Sequence, residues 1–443
     1  MHHFAWAAGW QRGDGGGGEC LAAFATGFST AAKKMLIHVV GLGVAQPPLL
    51  STEAQGALTE AAWVIGSERQ LAALRLEGVP QLRLPKLAEL LLWLQEHEAE
   101  TGVVLASGDP LHYGIGAFLS RHFAPDQLCF HPAISSIQAF CHQLYLSQQE
   151  VKVVSLHGRP LANLRRHLHA GQRVMILSDT QSQPQHLAQQ CQATGFGDST
   201  VWVSEMIGYP EQRLRSFSVA QLLAQEIEFA PLHLSLIMVK GRGDFLPEFP
   251  GIEDRHFVTD GVSGAGLLSK REVRLAILSL LQPAQGEVGW DIGAGCGGVA
   301  VEWAFWNPAG ALFAIEHHAE RLACLRENRD KFGVVANLKV VAGLAPTVLA
   351  DLPDPDKVFV GGSGGALAEI LNTAWARLAL GGFLVASAVT EESKQMLLQF
   401  GRKNPEAELE SMQIAVSRRS ELAGQSLYRP QLPVTLFKWL KLS

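Results

Sequence analysis

The sequence has few cysteines. It also lacks pairs of cysteines or histidines with the spacing that is typical of metal ligands. Its six cysteines are scattered over 443 residues without a C-x-x-C pair, and no H-E-x-x-H motif occurs. These spacings are the sequence signatures of zinc sites and thiol redox centres. We therefore expect reduced thiols in a cytoplasmic protein, and no bound metal.

Long apolar runs and concentrated positive charge are also missing. No apolar run approaches the roughly 18 residues that a membrane-spanning helix needs. The net charge is −6, and the lysines and arginines are spread along the chain. Because phosphate binding needs a concentrated basic face, the sequence predicts neither a membrane nor a nucleic acid as partner.

The composition is sufficient for large hydrophobic cores. Hydrophobic residues make up 47% of the chain, and its length favours roughly two to four structural units. Residues 1–34 contain a glycine run at 15–18 and show no regular period. They are interpreted as a disordered tail, with a signal peptide as the weaker alternative because a basic start is missing.

From residue 35 to 245, strand-like runs alternate with helical patterns, which is typical of an α/β fold. The predicted strands of this part are 36–40, 103–106, 151–155, 174–177, 201–204 and 234–239. Five loops, each directly after a strand, carry small or polar residues and are predicted to line one edge of a sheet. They lie at 105–114, 131–136, 155–159, 177–180 and 205–210.

Residues 246–266 are rich in glycine, proline and charge, and this composition predicts a linker. A second α/β domain, 267–443, is predicted to begin with a capping box formed by Ser269 and Glu272. Seven strands are expected after it, with the last one antiparallel, at 288–291, 312–316, 338–341, 357–361, 383–388, 409–416 and 433–439.

The loop after the first of these strands predicts a nucleotide-like cofactor. Gly293, Gly295 and Gly297 permit a tight turn and close approach of a ligand, while Glu316 ends the next strand, where a carboxylate can bind ribose hydroxyls. The same loop fits the dinucleotide motif if Gly298 replaces Gly297. Asp291, two residues before the first glycine, favours S-adenosylmethionine (SAM) over a dinucleotide.

The motifs of both halves, taken in order, resemble a known family. LASGDPLHYGIG, VSLHGRP and EMIGYPEQR, within 36–240, resemble the tetrapyrrole (uroporphyrin-III/corrin) methylases. SKREVR, DIGAGCGGVAVE and VFVGGSGG, within 255–442, resemble the SAM-dependent decarboxylating methylase of the same pathway. Both in this order resemble the fused precorrin-6Y C5,15-methyltransferases (decarboxylating) of cobalamin synthesis.

This resemblance implies an N-terminal tetrapyrrole-methylase fold of two α/β subdomains and a C-terminal Rossmann-like class I methyltransferase with a seven-stranded sheet. It implies SAM-dependent methylation of precorrin-6Y at C5 by the first domain and at C15 by the second, with loss of the ring C acetate carboxyl as CO2, giving precorrin-8X. The expected assembly is a homo-oligomer. No catalytic side chain is singled out, because an electron-rich ring needs mainly alignment with the methyl donor.

The resemblance also implies the residues of two cofactor sites. Those expected around the first SAM are Gly108, Asp109, Tyr113, Ser135, Ser136, Asp179 and Met206. Those expected around the second are Ser269, Asp291, Gly293, Gly295, Gly297, Glu316 and Ala345.

The substrate carries many carboxylates, which arginine and lysine match well. The candidate cations are Arg159, Arg213, Lys270 and Arg274, and the bare Gly362, Ser363 and Gly364 segment suits a flat ring. Two other functions stay open at this point. One is an NAD-dependent oxidoreductase that uses the glycine loop; the other is a non-catalytic tetrapyrrole carrier, should Val44-Ala45-Gln46 inactivate the first site.

Overall fold

The computed structural model describes residues 35–261 and 268–442. The predicted tail and part of the predicted linker lie outside these residues. The described chain divides into two compact units: residues 35–43 with 47–133, and residues 44–46 with the rest from 134 onward.

The first unit contains one parallel sheet of five strands in the order β3-β2-β4-β1-β5. Its strands are β1 (Leu36–Gly41), β2 (Val64–Gly66), β3 (Gln81–Arg83), β4 (Thr101–Ala106) and β5 (Leu128–His131). Its helices are α1 (Thr52–Glu60), α2 (Glu68–Leu74), α3 (Leu87–Glu96) and α4 (Gly116–Leu119). Leu90 and Leu94 of α3 are fully buried while Leu92 is exposed, as an amphipathic helix against a sheet requires.

The second unit begins with another five-stranded sheet, in the order β6-β7-β10-β8-β9. Its strands are β6 (Val151–Ser155), β7 (Arg173–Leu177), β8 (Thr200–Glu205), β9 (Arg213–Ser218) and β10 (His233–Met238), and its helices are α5 (Ser136–Gln143), α6 (Pro184–Ala193) and α7 (Val219–Ala224). Strands β6 and β7 are parallel, and β10 is antiparallel to both β7 and β8. Therefore β6, β7 and β8 end at the same edge of this sheet.

The prediction of a single edge for the five polar loops is wrong. The loops after β4 and β5 belong to the first sheet, and those after β6, β7 and β8 belong to the second. Strand periodicity says where each strand ends but not which sheet it joins, because sheet membership depends on long-range pairing.

The third sheet has seven strands in the order β13-β12-β11-β14-β15-β19-β16, with β19 antiparallel to both its neighbours. This confirms the predicted seven strands and the antiparallel last strand. The strands after β10 are β11 (Val288–Ile292), β12 (Ala311–Glu316), β13 (Leu338–Ala342), β14 (Lys357–Val360), β15 (Phe383–Ala388), β16 (Glu408–Ile414), β17 (Ser417–Leu422), β18 (Gln425–Pro430) and β19 (Val434–Leu440). The helices are α8 (Arg271–Leu281), α9 (Gly298–Trp306), α10 (Ala319–Lys331), α11 (Leu367–Arg377) and α12 (Glu391–Lys403).

Two local predictions for this domain are corrected. Strands β17 and β18 form a separate hairpin where a plain loop was expected. The capping box does not form: α8 begins at Arg271 after Lys270, which makes no side-chain cap. The Glu272 carboxylate instead accepts a hydrogen bond from Arg418 at 2.6 Å, because the hairpin brings that arginine within reach.

Buried residues between 154 and 257 share one apolar core with buried residues of the domain that carries the third sheet. It includes Leu164 and Phe196 of the former together with Phe332 and Val334 of the latter. The residues predicted as a linker contribute to it, since Ile252 is 2% exposed and Phe257 is 3% exposed. The second sheet and the third sheet therefore share a core, to which Leu246, Ile252 and Phe257 of the predicted linker contribute, while Phe249 in the same segment is 80% exposed.

A buried arginine lies at this junction. The guanidinium of Arg166 donates to the Asn337 side chain at 2.8 Å and to the carbonyls of Ala304 and Phe305 at 2.9 and 2.6 Å. Burial lowers its pKa to about 10. Its three acceptors offset the desolvation of the charge, so Arg166 ties its own segment to α9 and β13.

None of the helices in the described residues combines the length and apolar character needed to cross a bilayer.

Candidate functional site

A cavity of about 550 Å3 lies at the carboxyl edge of the third sheet. Loops after five parallel strands surround it, which is where open α/β sheets bind ligands. Its size is in the range of small-molecule sites. The predicted residues that line it are Ser269, Lys270, Asp291, Gly293, Gly295, Glu316, Ala345, Gly362, Ser363 and Gly364.

The glycine loop has the backbone form that the sequence predicts. Gly293, Gly295 and Gly297 have φ angles of 72°, 57° and 88°, a region that side chains disfavour. A Cβ atom on Gly293 would come within 2.6 Å of the Gly362 Cα and would collide with its carbonyl. The loops after β11 and β14 can therefore approach each other only because residue 293 has no side chain, whereas a Cβ on Gly362 would make ordinary contacts of 3.7 Å with Gly293.

Glu316 holds the loop in place. Its side chain is 4% exposed, and its carboxylate accepts hydrogen bonds from the amides of Gly295 at 2.9 Å, His317 at 2.8 Å and His318 at 2.9 Å. The side chain thus links the end of β12 to the middle of the glycine loop. Because each carboxylate oxygen has two lone pairs, acceptor capacity remains for a ligand hydroxyl.

Asp291 differs from Glu316 in having no such support. It is fully buried on the cavity wall, and neither carboxylate oxygen has a hydrogen-bond partner among the described residues. Burial raises the pKa of this carboxyl to about 7; the nearby Ala300 amide opposes the rise although its geometry falls outside that of a hydrogen bond, and the neighbouring Glu316 adds to the rise. An unpartnered buried carboxylate is costly, and a cationic ligand group would relieve that cost.

The remaining wall is mostly apolar or without side chains. Leu344 lies on it with 52% of its surface exposed, and Ala345 beside it is buried. On the opposite side the Gly361 amide donates to the Ile292 carbonyl at 2.9 Å, which holds the 361–364 loop against β11. This combination suits a flat group packed between Leu344 and bare backbone.

Two predicted residues lie away from the cavity. Gly297 instead caps α9, where a Cβ would collide with Leu325. Arg274 is completely buried: it pairs with Glu302 at 3.0 Å and Asp254 at 2.7 Å. This contradicts the expectation that Arg274 meets substrate carboxylates, because its guanidinium is engaged in ion pairs inside the protein.

Sequence reasoning also missed residues of the cavity. His317 and Arg321 line it, as do Gln431 and Leu432 at the end of the hairpin. His317 directly follows Glu316 at the end of β12, so its place in the sequence could have identified it as a cavity residue. Gln431 and Leu432 follow a hairpin that was not predicted, and no motif marks them.

In the first unit, Asp109 organises the loop after β4. Its carboxylate accepts hydrogen bonds from the amides of Leu111 at 2.9 Å, His112 at 3.0 Å and Ala133 at 3.4 Å. Gly108 and Tyr113 both have positive φ, and the Tyr113 side chain is 55% exposed. The three residues predicted here therefore belong to one tight turn with an exposed ring.

In the second unit, loops at one edge of the second sheet contact each other. Asp179, after β7, accepts a hydrogen bond from the amide of Gly158, after β6, at 2.8 Å. It also accepts from the amides of Gln181 and Ser182, and these bonds, the Gly158 one foremost, lower its pKa. Met206, after β8, has a positive φ of 51° at the same edge.

The other predicted residues of this unit take structural or exposed positions. Ser135 caps α5 in a capping box, and Ser136 is the first residue of that helix. Arg159 is exposed, with one hydrogen bond to the Ser155 carbonyl. Arg213 is exposed and pairs at 3.1 Å with the buried Glu205, which Arg215 also contacts, so the trio keeps a net positive charge.

Family models match two segments of this chain. Residues 36–223 match the tetrapyrrole (corrin/porphyrin) methylases, and residues 259–441 match the precorrin methyltransferase domain. These matches favour a methyltransferase over the dinucleotide-dependent oxidoreductase.

Relatives match over nearly the whole length. A precorrin-6Y C(5,15)-methyltransferase [decarboxylating] from a Sinorhizobium species is 35% identical over 91% of this chain and 96% of that protein. One of the same name from Mycobacterium tuberculosis is 33% identical over 90% of this chain and 98% of its own. A cobalt-precorrin-7 C(5)-methyltransferase from Salmonella typhimurium is 31% identical over 43% of this chain and 94% of its own. The chain belongs to the family of the decarboxylating precorrin-6Y C(5,15)-methyltransferases.

Proposed function

We propose that this protein methylates precorrin-6Y at C5 and C15 and removes the carboxyl of its ring C acetate as CO2, giving precorrin-8X in cobalamin biosynthesis. SAM is the methyl donor at both carbons. The N-terminal methylase segment acts at C5, and the third-sheet domain acts at C15 and decarboxylates. The observation that carries the proposal is the cavity at the third sheet, where neither carboxylate oxygen of Asp291 is hydrogen-bonded within the described part of the chain, in a protein that matches both family models in order.

The residues around this cavity fit SAM. The Asp291 carboxylate is a partner for the positively charged methionine part, and Glu316 has acceptor capacity for ribose hydroxyls. Leu344 and the 361–364 backbone offer flat surfaces for adenine and for the macrocycle. SAM supplies a methyl group activated on a sulfonium sulfur.

The candidate cofactor residues of the N-terminal methylase segment are proposed for each unit by itself, from the chemistry of its loops. They are Gly108, Asp109 and Tyr113 in the first unit, and Ser135, Ser136, Asp179 and Met206 in the second. Arg159 and Arg213 are exposed cations that suit the substrate carboxylates. Lys270 has the corresponding role at the third-sheet cavity, which it lines.

The chain's contribution to the chemistry is alignment. In each transfer an electron pair of the ring forms the bond from the ring carbon to the methyl carbon, the sulfur–methyl bond breaks and sulfur keeps its bonding pair; the methylated ring then releases one proton to solvent. On decarboxylation the carbon–carboxyl bond breaks, its electron pair passes into the conjugated ring, and a proton from solvent completes the remaining methyl. Holding the reactants in line is worth up to about 7 to 11 kcal/mol, so no strong base is required.

The proposal is tested with full-length protein, methyl-labelled SAM and precorrin-6Y. We expect two labelled methyl groups and one CO2 per macrocycle. One methyl without CO2 would restrict activity to C5, and no methyl would leave only the carrier function. Full-length protein is needed because a fragment starting at 255 would expose core residues such as Phe332 and Val334.

A further inference from the structure

Two histidines and a cysteine meet on one face of the first sheet. His38 lies on β1, and Cys129 and His131 lie on β5, which pairs with β1 in parallel so that His38 is opposite Cys129. Because side chains two residues apart on a strand share a face, Cys129 and His131 point the same way. All three side chains come from the first unit.

The donor atoms are close enough to share one ion. Nδ1 of His38 is 3.0 Å from Nε2 of His131, and Sγ of Cys129 is 3.7 Å from the same nitrogen. One donor atom from each residue lies within 4.8 Å of the others. Around a tetrahedral Zn2+ ion, Zn–N bonds are near 2.0–2.1 Å and Zn–S bonds near 2.3 Å, so two nitrogen ligands lie about 3.3 Å apart and a nitrogen and a sulfur ligand about 3.6 Å apart. Shifts of a few tenths of an ångström would therefore suffice.

The surroundings also favour a cation. His131 is 7% exposed, whereas His38 and Cys129 are only partly buried, which leaves a route from solvent. The carboxylates of Glu53 and Glu60 on α1 lie near enough to act electrostatically on His131 and His38. Negative charge just outside the ligands strengthens binding of a positive ion.

We propose that His38, Cys129 and His131 form a three-ligand site for a borderline divalent cation of the zinc class, with water in the fourth position. Two imidazoles and a thiolate form a donor set that binds ions of this class more strongly than it binds magnesium or calcium. Cys129 releases its thiol proton to solvent when the ion binds. His131 ends β5 two residues before Ala133, whose amide donates to Asp109, so the ion would anchor β5 to β1 beside that turn.

The test is a metal titration of full-length, untagged protein after treatment with a chelator. Zn2+ is added in competition with a chromophoric chelator to the wild type, Cys129→Ser and His38→Gln. His122→Gln is the matched control, because His122 is an exposed histidine of the same unit with a hydrogen bond to the Phe118 carbonyl. We expect one Zn2+ equivalent whose affinity falls at least ~10-fold in both ligand variants and not in the control.

Binding of Co2+ provides a second measurement, which does not depend on enzyme activity. The wild type and His122→Gln should show thiolate-to-cobalt charge-transfer absorption, and Cys129→Ser should lose it while keeping the wild-type circular dichroism spectrum. Cys129→Ser changes one atom, so it keeps the test usable if His38→Gln does not fold. Equal Zn2+ affinity in the wild type and Cys129→Ser, or a Co2+ complex without thiolate absorption, would overturn the proposal.

Discussion

Asp291 in the C-terminal half differs from Asp109 and Asp179 in the N-terminal half in what its carboxylate oxygens bind, whereas Glu316 resembles the N-terminal pair. In the N-terminal half, Asp109 and Asp179 each accept several backbone hydrogen bonds, and those on Asp179 lower its pKa. In the C-terminal half, Asp291 is buried without a partner among the described residues, and its pKa is raised to about 7.

The difference separates two uses of one residue type. A carboxylate that accepts several amide hydrogen bonds shapes a loop, and only part of its acceptor capacity remains for a ligand. A buried carboxylate without partners keeps an unfavourable energy that a cationic ligand can remove. We infer that Asp109, Asp179 and Glu316 hold loops in place, while Asp291 is available to pair with the positive charge of the cofactor.

Glu316→Ala should have the largest effect. It removes three amide hydrogen bonds to a charged acceptor, each worth about 1.5–3 kcal/mol, so SAM affinity at the third-sheet cavity should fall at least ~100-fold. C15 methylation and CO2 release should be lost while C5 methylation continues, as measured by methyl position and CO2 yield. Glu320→Ala, an exposed residue in the first turn of α10, is the control. An equal loss at C5 and C15 would contradict separate sites.

Asp291→Asn should weaken SAM binding at the same cavity by about 10- to 100-fold, because one hydrogen-bonded charge pair is worth about 1.5–3 kcal/mol. In the wild type, affinity should fall below pH 7, where the carboxyl is protonated, and the variant should lack this dependence. Calorimetric titration between pH 5 and 8 measures both. A pH-independent wild-type affinity would show that Asp291 does not meet the ligand charge.

The same substitution should also change stability in a pH-dependent way. The pKa of Asp291 is raised from 3.8 to about 7 on folding, so the folded state binds more protons between these values and wild-type stability falls as pH rises through them. The difference in free energy of unfolding, Asp291→Asn minus wild type, should increase by about 2–3 kcal/mol when the pH is raised from 5 to 8. Denaturant titration without ligand at both pH values checks this, and a constant difference would refute it.

Gly293→Ala tests whether the glycine loop needs its close approach to Gly362. Gly286→Ala is the matched control, since Gly286 has a similar φ of 82° and a Cβ added there would meet no atom within 4 Å. Both should lose about 1–2 kcal/mol to the left-handed backbone, and only Gly293→Ala should also lose SAM affinity. Thermal unfolding and calorimetry separate the two effects. Similar ligand affinity in both variants would mean that the loops can separate without harm.

Asp109→Asn should have the smallest effect. Asparagine keeps an acceptor oxygen and supports the same kind of turn, so C5 methylation should change by less than about threefold. The rate of methyl transfer to C5 measures this. A loss as large as that of Asp291→Asn at C15 would remove the distinction between the two kinds of carboxylate.

Much of the C-terminal site was predictable because its signals are local. The strand, the glycines and Glu316 lie within 30 residues of one another, and parallel strands bring their ends to one edge. Leu344 and the 361–364 loop follow further strands of the same sheet. The N-terminal prediction was weaker because its loops follow strands of two different sheets, and a strand pattern does not record its pairing partner.

By itself, the sequence determined the alternation of strands and helices, the turn at the glycine loop and the residues at each strand end, since these depend on neighbours in the chain. Only the tertiary structure decided that Arg274 and Arg166 are buried cations, that Ile252 and Phe257 belong to the core, and that Asp291 has no hydrogen-bond partner among the described residues. It also brought His38 to His131 across 93 positions. Such contacts arise from packing between distant segments, and packing leaves no fixed spacing in the sequence.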